Sequence, residues 1–193
     1  LKTLKMDDQF LPAEHRAAYQ SGNLEALRPL MRAERAARQE TYGALGDAEQ
    51  LALIEAISGS CKEEKKAQVN TMLRSILAGD SGSLNLDESL VIDVPPSLER
   101  LGRLMHLRAI MLPNNELTRL PDYIGEIGSL EMLDLFKNPL TELPASLGRL
   151  SNLQFLQVSD CKLTRLPDSL ANCRKLRTVQ INDNQLTEFP EFL

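Results

Sequence analysis

Four leucines recur at a fixed interval of 23 residues: Leu107, Leu130, Leu153 and Leu176. Around each the chain repeats one phrase, L-x-x-L-x-L-x-x-N-x-L-x-x-L-P, with a few conservative exchanges. The second copy runs Leu130, Leu133, Leu135, Asn138, Leu140, Leu143, Pro144. A short unit with a one-sided apolar pattern cannot bury that side alone, so it must lay it on the next unit. The chain is therefore constrained to a solenoid of stacked coils. Such a stack offers a broad surface rather than a deep pocket, which points to binding another macromolecule.

Stacking turns the phrase into columns. The second apolar column is Ile110, Leu133, Leu156 and Val179, and the third is Leu112, Leu135, Val158 and Ile181. The fourth is Leu117, Leu140, Leu163 and Leu186. The fifth is Leu120, Leu143, Leu166 and Phe189, each followed by a proline. A degenerate earlier unit reads Leu84, Leu86, Ser89, Val91, Val94, Pro95, with an extra triplet at Leu98, Leu101 and Leu104. The alternating x-L-x-L-x stretch predicts a short strand with its leucines inside. Strands of successive units are expected to pair in parallel, about 4.8 Å apart. The triplet Leu147, Leu150, Leu153 after the proline suits a 3₁₀-like turn on the outer side.

The Asn115, Asn138, Asn184 row is expected to point inward, its amides meeting backbone groups that the turn leaves unpaired. Cys161 takes this row in the third clear unit and Ser89 in the degenerate one. Cys173 falls in the apolar row of Ile127 and Leu150, so both cysteines read as core residues. A charged row, Asp93, Arg119, Glu142, Arg165 and Glu188, alternates in sign and would form a ladder of opposite neighbours if the units stack, although in energy it reads as a solvated rim.

On these motifs, residues 84–193 resemble the leucine-rich repeat family. The 23-residue form L-P-x-x-L-x-x-L-x-x-L is similar to the Scribble and Erbin class of intracellular scaffolds and to repeats of bacterial effectors delivered into host cells. The resemblance implies an α/β repeat fold: a right-handed solenoid with a parallel β-sheet on its concave face, which binds protein there.

Residues 1–80 lack the phrase and read as helices. Pro12 can open one that ends near Ser21-Gly22, and Pro29 another running to about Tyr42. Asp47 with Gln50 resembles a capping box before Leu51, Ile54 and Ile57. In residues 62–78, Val69, Met72, Leu73, Ile76 and Leu77 share one helix face. That stripe is expected to cover the open amino-terminal end of the solenoid. The domain boundary is placed at Gly79-Asp80-Ser81-Gly82, separating a helical region, 1–80, from a repeat domain, 81–193. At the other end Leu193 stands one period after Leu170, in mid-phrase. The expectation is that more chain follows, or that a partner or a second copy covers that end.

The residues between the inward leucines face the concave side. Apolar ones collect at Met111, Met132, Phe136 and Phe155, and Asp134, Lys137, Gln157 and Asp160 ring them. Aromatics are only 4% of the chain, yet two of its five phenylalanines fall here. An apolar centre with a polar rim is the make-up of a protein interface. These eight residues are the candidate partner-binding site.

Other functions find less support. Net charge is −5, with 11 basic and 12 acidic residues in 1–80 and 11 and 15 in 81–193. Neither part has the basic excess of a nucleic-acid binder. No apolar run approaches the roughly 20 residues of a membrane span. The two histidines, His15 and His106, lie in no metal-binding or catalytic phrase, and no phosphate-binding glycine loop occurs. No catalytic residue, cofactor or metal is assigned. Cys61 has Glu63 and Glu64 beside it, but a solvated charge run accounts for them. Three cysteines without metal-ligand spacing suit a reducing, intracellular setting. The leading expectation is a protein-recognition module. The alternatives are the recognition half of a larger effector enzyme, such as a ubiquitin ligase with its catalytic domain beyond residue 193, and a scaffold that self-associates through its carboxyl end.

Overall fold

The computed structural model describes residues 47–78, 81–89, 94 and 107–188. The chain divides into two compact units, Leu1–Leu45 and Gly46–Leu193, and every described residue belongs to the second. The helices expected before residue 45, both histidines, Asp93, Phe189 and the last residues of the chain lie outside the described residues.

Two helices come first: α1 (Asp47–Ser58) and α2 (Glu63–Leu77). Five three-residue strands follow, β1 (Ser83–Asn85), β2 (Ala109–Met111), β3 (Met132–Asp134), β4 (Phe155–Gln157) and β5 (Thr178–Gln180). They form one parallel sheet in chain order. Every pairing joins residues of equal rank in the phrase: Ile110 opposite Leu133, Leu133 opposite Leu156, Leu156 opposite Val179. A slip of one residue would turn each leucine outward, so the alternation itself fixes the register.

The columns are the core. Leu107, Leu130 and Leu153, Ile110, Leu133 and Leu156, and Leu117, Leu140 and Leu163 are all 0% exposed. After each proline the outer side is a 3₁₀ turn: Asp122–Glu126, Ala145–Arg149 and Asp168–Asn172. Three residues per turn bring every third side chain to one face, which is why Leu147 and Leu150 are both fully buried. These turns stack closely. A Cβ on Gly125 would lie 2.2 Å from the Ser146 carbonyl oxygen, and one on Gly148 would lie 2.4 Å from that of Ser169. Glycine is required there by the approach of the next coil's backbone.

The asparagine row points inward as the spacing requires. The Asn138 Nδ2 donates to the carbonyls of Leu112 (2.8 Å), Leu135 (2.9 Å) and Phe136 (3.3 Å). Its Oδ1 accepts the Leu117 N–H at 3.1 Å. Asn184 repeats the pattern toward Val158, Ile181 and Leu163. Cys161 fills the same place, its thiol donating to the carbonyls of Leu135 and Ser159 at 3.5 and 3.6 Å. Sulfur offers no amide oxygen in return, and the Leu140 N–H turns instead to the Asn138 carbonyl at 2.8 Å.

Helix α2 packs on the first strand. Val69, Leu73 and Ile76 are buried, while Met72 and Leu77 flank them at half burial. Met72 Sδ accepts the Asn85 N–H at 3.1 Å, and the Lys62 N–H donates to the Ser89 carbonyl at 2.9 Å. The helix thus covers the side of β1 that no strand pairs. The helices and repeats share one compact unit, and the change from helix to strand near residues 79–82 falls inside it.

In α1 the inward face is Leu53, Ile54 and Ile57, and Leu51 is 47% exposed. At 100° per residue, Leu51 points about 120° away from the direction shared by the other three. From Glu142 to Glu188 the rim row is solvated, as its exposed position favours. Glu142, Arg165 and Glu188 are exposed, and no ion pair joins Glu142 to Arg165 or Arg165 to Glu188. Long side chains in water gain too little from such contacts to be held in them.

Candidate functional site

The concave face is built by the strands and the turn that follows each. Because neighbouring strands are in register, the residues between the leucines also form columns. The first holds Ser83, Ala109, Met132, Phe155 and Thr178, and the second Asn85, Met111, Asp134, Gln157 and Gln180. The third, two residues on, holds Asp87, Pro113, Phe136, Ser159 and Asn182. The fourth holds Glu88, Asn114, Lys137, Asp160 and Asp183.

The fourth column has a property not foreseen from the sequence. All five of its residues have positive φ, between 49° and 56°. One left-handed residue per unit bends the chain away from the strand. Asparagine and aspartate tolerate this conformation, whereas Lys137 and Glu88 meet its steric cost. The readable signal was the prevalence of Asn and Asp in that column.

The structure brings the eight candidate residues onto three adjacent strands and their turns. Met132 lies directly opposite Phe155, and Asp134 stands between Met111 and Gln157. Met111, Met132, Phe136 and Phe155 are half-buried, and so are Asp134 and Gln157; Lys137 and Asp160 are exposed. The Lys137 Nζ sits 5.2 Å from the centre of the Phe136 ring, a cation–π contact.

Local hydrogen bonds hold the second column in place. Asp134 Oδ1 accepts the Phe136 N–H at 3.0 Å, and Gln157 Oε1 accepts the Ser159 N–H at 2.8 Å. Asn85 does the same for Asp87 at 3.0 Å. The Gln157 amide also donates to Gln180. Desolvation pushes the Asp134 pKa above the usual carboxylate value, and the charge of Asp87 adds to this; the Phe136 N–H acts in the opposite sense.

Beside this column, at the amino-terminal ends of the strands, Arg108 faces Glu131 at 3.8 Å, and Gln154 donates to Glu131 at 3.2 Å. On the outer side Arg149 pairs with Glu126.

All three cysteines are free and buried. Burial pushes each thiol's pKa up. The Cys61 thiol donates to the Ile57 carbonyl at 3.6 Å and stays protonated at neutral pH, so its acidic sequence neighbours do not make it a nucleophile. Among the described residues no group of three or more His, Cys, Asp or Glu side chains could hold a metal ion, and no helix is long and apolar enough to cross a membrane.

The carboxyl-terminal coil is less covered. Leu176, Val179, Ile181 and Leu186 are half-buried, whereas Leu153, Leu156, Val158 and Leu163, one coil earlier, are 0% exposed.

Known proteins place this arrangement. A family model described as a leucine-rich repeat region matches residues 84–192. A leucine-rich repeat protein of Leptospira interrogans is 26% identical with a TM-score of 0.52, over 63% of this chain and 36% of that one. The BIR2 ectodomain from Arabidopsis thaliana is 20% identical with a TM-score of 0.61, over 75% of this chain and 85% of that one. The BIR3–SERK2 complex from the same plant gives 22% and 0.60, over 75% and 87%. The two plant structures establish likeness of fold alone. The chain spans about a third of the length of the Leptospira protein. No curated protein matches it.

Proposed function

From the premise that this chain belongs to the leucine-rich repeat family, we propose that it is a protein-recognition module whose partner docks on the concave face. One observation carries this reading. Met111, Met132, Phe136 and Phe155 stand together half-exposed on β2, β3, β4 and the turn after β3, directly above inward leucines that are fully buried in columns. Apolar anchors at the centre and Asp134, Lys137, Gln157 and Asp160 around them give the core-and-rim order of an interface. The backbone beneath is held by the sheet, so little ordering cost opposes docking. We also assign the protein to a reducing, intracellular compartment, a reading supported by its three free thiols.

The test is a pair of substitutions at the centre. Peptides selected from a random phage-displayed library on the wild-type chain provide the ligand. Phe136→Ala with Phe155→Ala is expected to leave the melting temperature near wild type and to weaken those peptides by more than about 1 kcal/mol. Unchanged affinity would refute the assignment of the face.

A further inference from the structure

The concave face has a charge pattern that narrows what it can take. The four columns between the leucines hold five carboxylates, Asp87, Glu88, Asp134, Asp160 and Asp183, and one ammonium, Lys137. None of the five has an ion-pair partner among the described residues. Asp87 accepts only the Asn114 amide, at 2.9 Å. The Lys137 ammonium is drawn over the Phe136 ring and neutralises none of them.

Asp134 is set apart from the other four, which lie at the carboxyl-terminal turns. It stands in the strand, beside Met111, with Met132 two residues before it and Phe136 two residues after it on the same face. Its fourth neighbour, Gln157, has its amide already committed to Ser159 and Gln180. One carboxylate oxygen caps the Phe136 N–H. The other has no protein donor. An ionised carboxylate in an apolar frame is held there at a cost, which a cation arriving from outside would relieve.

We propose that the concave face selects a partner segment that presents a cationic side chain beside an apolar one, with Asp134 receiving the cation and Met132, Phe136 and Phe155 its apolar neighbour. This rests on the reading of the concave face as the binding surface. Arginine suits the site better than lysine, because its fork of N–H donors matches the geometry of a carboxylate.

The experiment separates this inference from the reading beneath it. Peptides selected on the wild-type chain are measured by fluorescence anisotropy against wild type, Asp134→Asn and the Phe136→Ala/Phe155→Ala variant. Asparagine keeps the acceptor for the Phe136 N–H, and a thermal melt checks the fold of each variant. The peptides that depend on the two phenylalanines are expected to carry an arginine or lysine next to an apolar residue. Changing that arginine to citrulline, or Asp134 to Asn, is expected to weaken binding about tenfold or more, and both changes together little more than either alone. The citrulline peptide needs no protein variant, so it reports even where a substitution disturbs folding. Peptides that need the phenylalanines but lack a basic residue, or ignore Asp134→Asn, overturn the cation preference and leave the face standing. If no selected peptide depends on the phenylalanines, both fall.

Discussion

The inward asparagine gives the sharpest test of the stacked coils. Asn138 is 1% exposed and makes four hydrogen bonds, three as donor and one as acceptor. Alanine removes all four. The 3.3 Å contact to Phe136 contributes least. The Leu117 N–H and the Leu112 carbonyl are then left in a space too apolar to supply water freely, while the Leu135 carbonyl keeps the Cys161 thiol at 3.5 Å. A buried group stripped of its partner costs about 1–3 kcal/mol. Two of them, partly relaxed, put Asn138→Ala at about 2–4 kcal/mol. Asn138→Cys is expected to cost less, because Cys161 shows that a thiol can reach the corresponding carbonyls at 3.5 and 3.6 Å. Urea denaturation followed by circular dichroism measures both, with coincident probes used to check that unfolding is cooperative. A loss below about 1 kcal/mol for the alanine variant would refute the reasoning, as would a cysteine variant worse than alanine.

Three further outcomes follow from the same geometry. Leu135→Ala is expected to cost about 2–5 kcal/mol because it empties a fully buried column, and Glu142→Ala on the exposed rim well under about 1 kcal/mol; similar midpoint shifts in denaturation would contradict the inward and outward assignment. Gly148→Ala is expected to cost about 1–3 kcal/mol or more, since its methyl meets the Ser169 backbone, and a melting temperature equal to wild type would show that the outer turns are not tightly stacked. Asp134 has its folded pKa raised by burial, so the folded chain holds this proton more tightly than the unfolded chain. The stability this gives is present at low pH and is lost as pH rises from the ordinary carboxylate value through the raised one. At pH 7 the ionised group remains at a net cost, and Asp134→Asn is expected to melt at or above the wild-type temperature, with the gap closing in acid. A variant less stable than wild type by the same margin at every pH would contradict this.

The parts of the fold that were legible in the sequence are those set by side-chain period. Leu133, Leu156 and their columns declare their inward direction through spacing alone, and the register of all five strands follows from it. The asparagine row was legible for the same reason, together with the need to satisfy backbone groups in a tight turn. The placing of the eight concave residues follows from that register.

Backbone conformation was harder to read. Nothing in a lysine or glutamate announces φ near 50°, so Lys137 and Glu88 gave no sign of the left-handed turn that Asn114 and Asp160 share. Gly125 and Gly148 do sit one period apart, but their meaning depends on how near the next coil lies, which spacing does not state. The rim ladder shows the opposite lesson. The alternation of sign was real, yet it describes a sequence pattern and not an energy large enough to hold Glu142 and Arg165 together. Among the helices, the stripe on α2 was readable because five apolar residues agree on one face. In α1, Leu51 and Leu53 compete for the same role, and packing decides for Leu53.

Protein recognition by this chain requires that a partner meet the strands' open face. Methionine methyl resonances test this with probes the chain already carries: Met111 and Met132 lie on that face, and Met72 on the covering helix. Titration of a selected peptide into methyl-labelled protein is expected to shift the Met111 and Met132 signals and leave Met72 in place. Saturable binding that moves Met72 and neither of the others would contradict it.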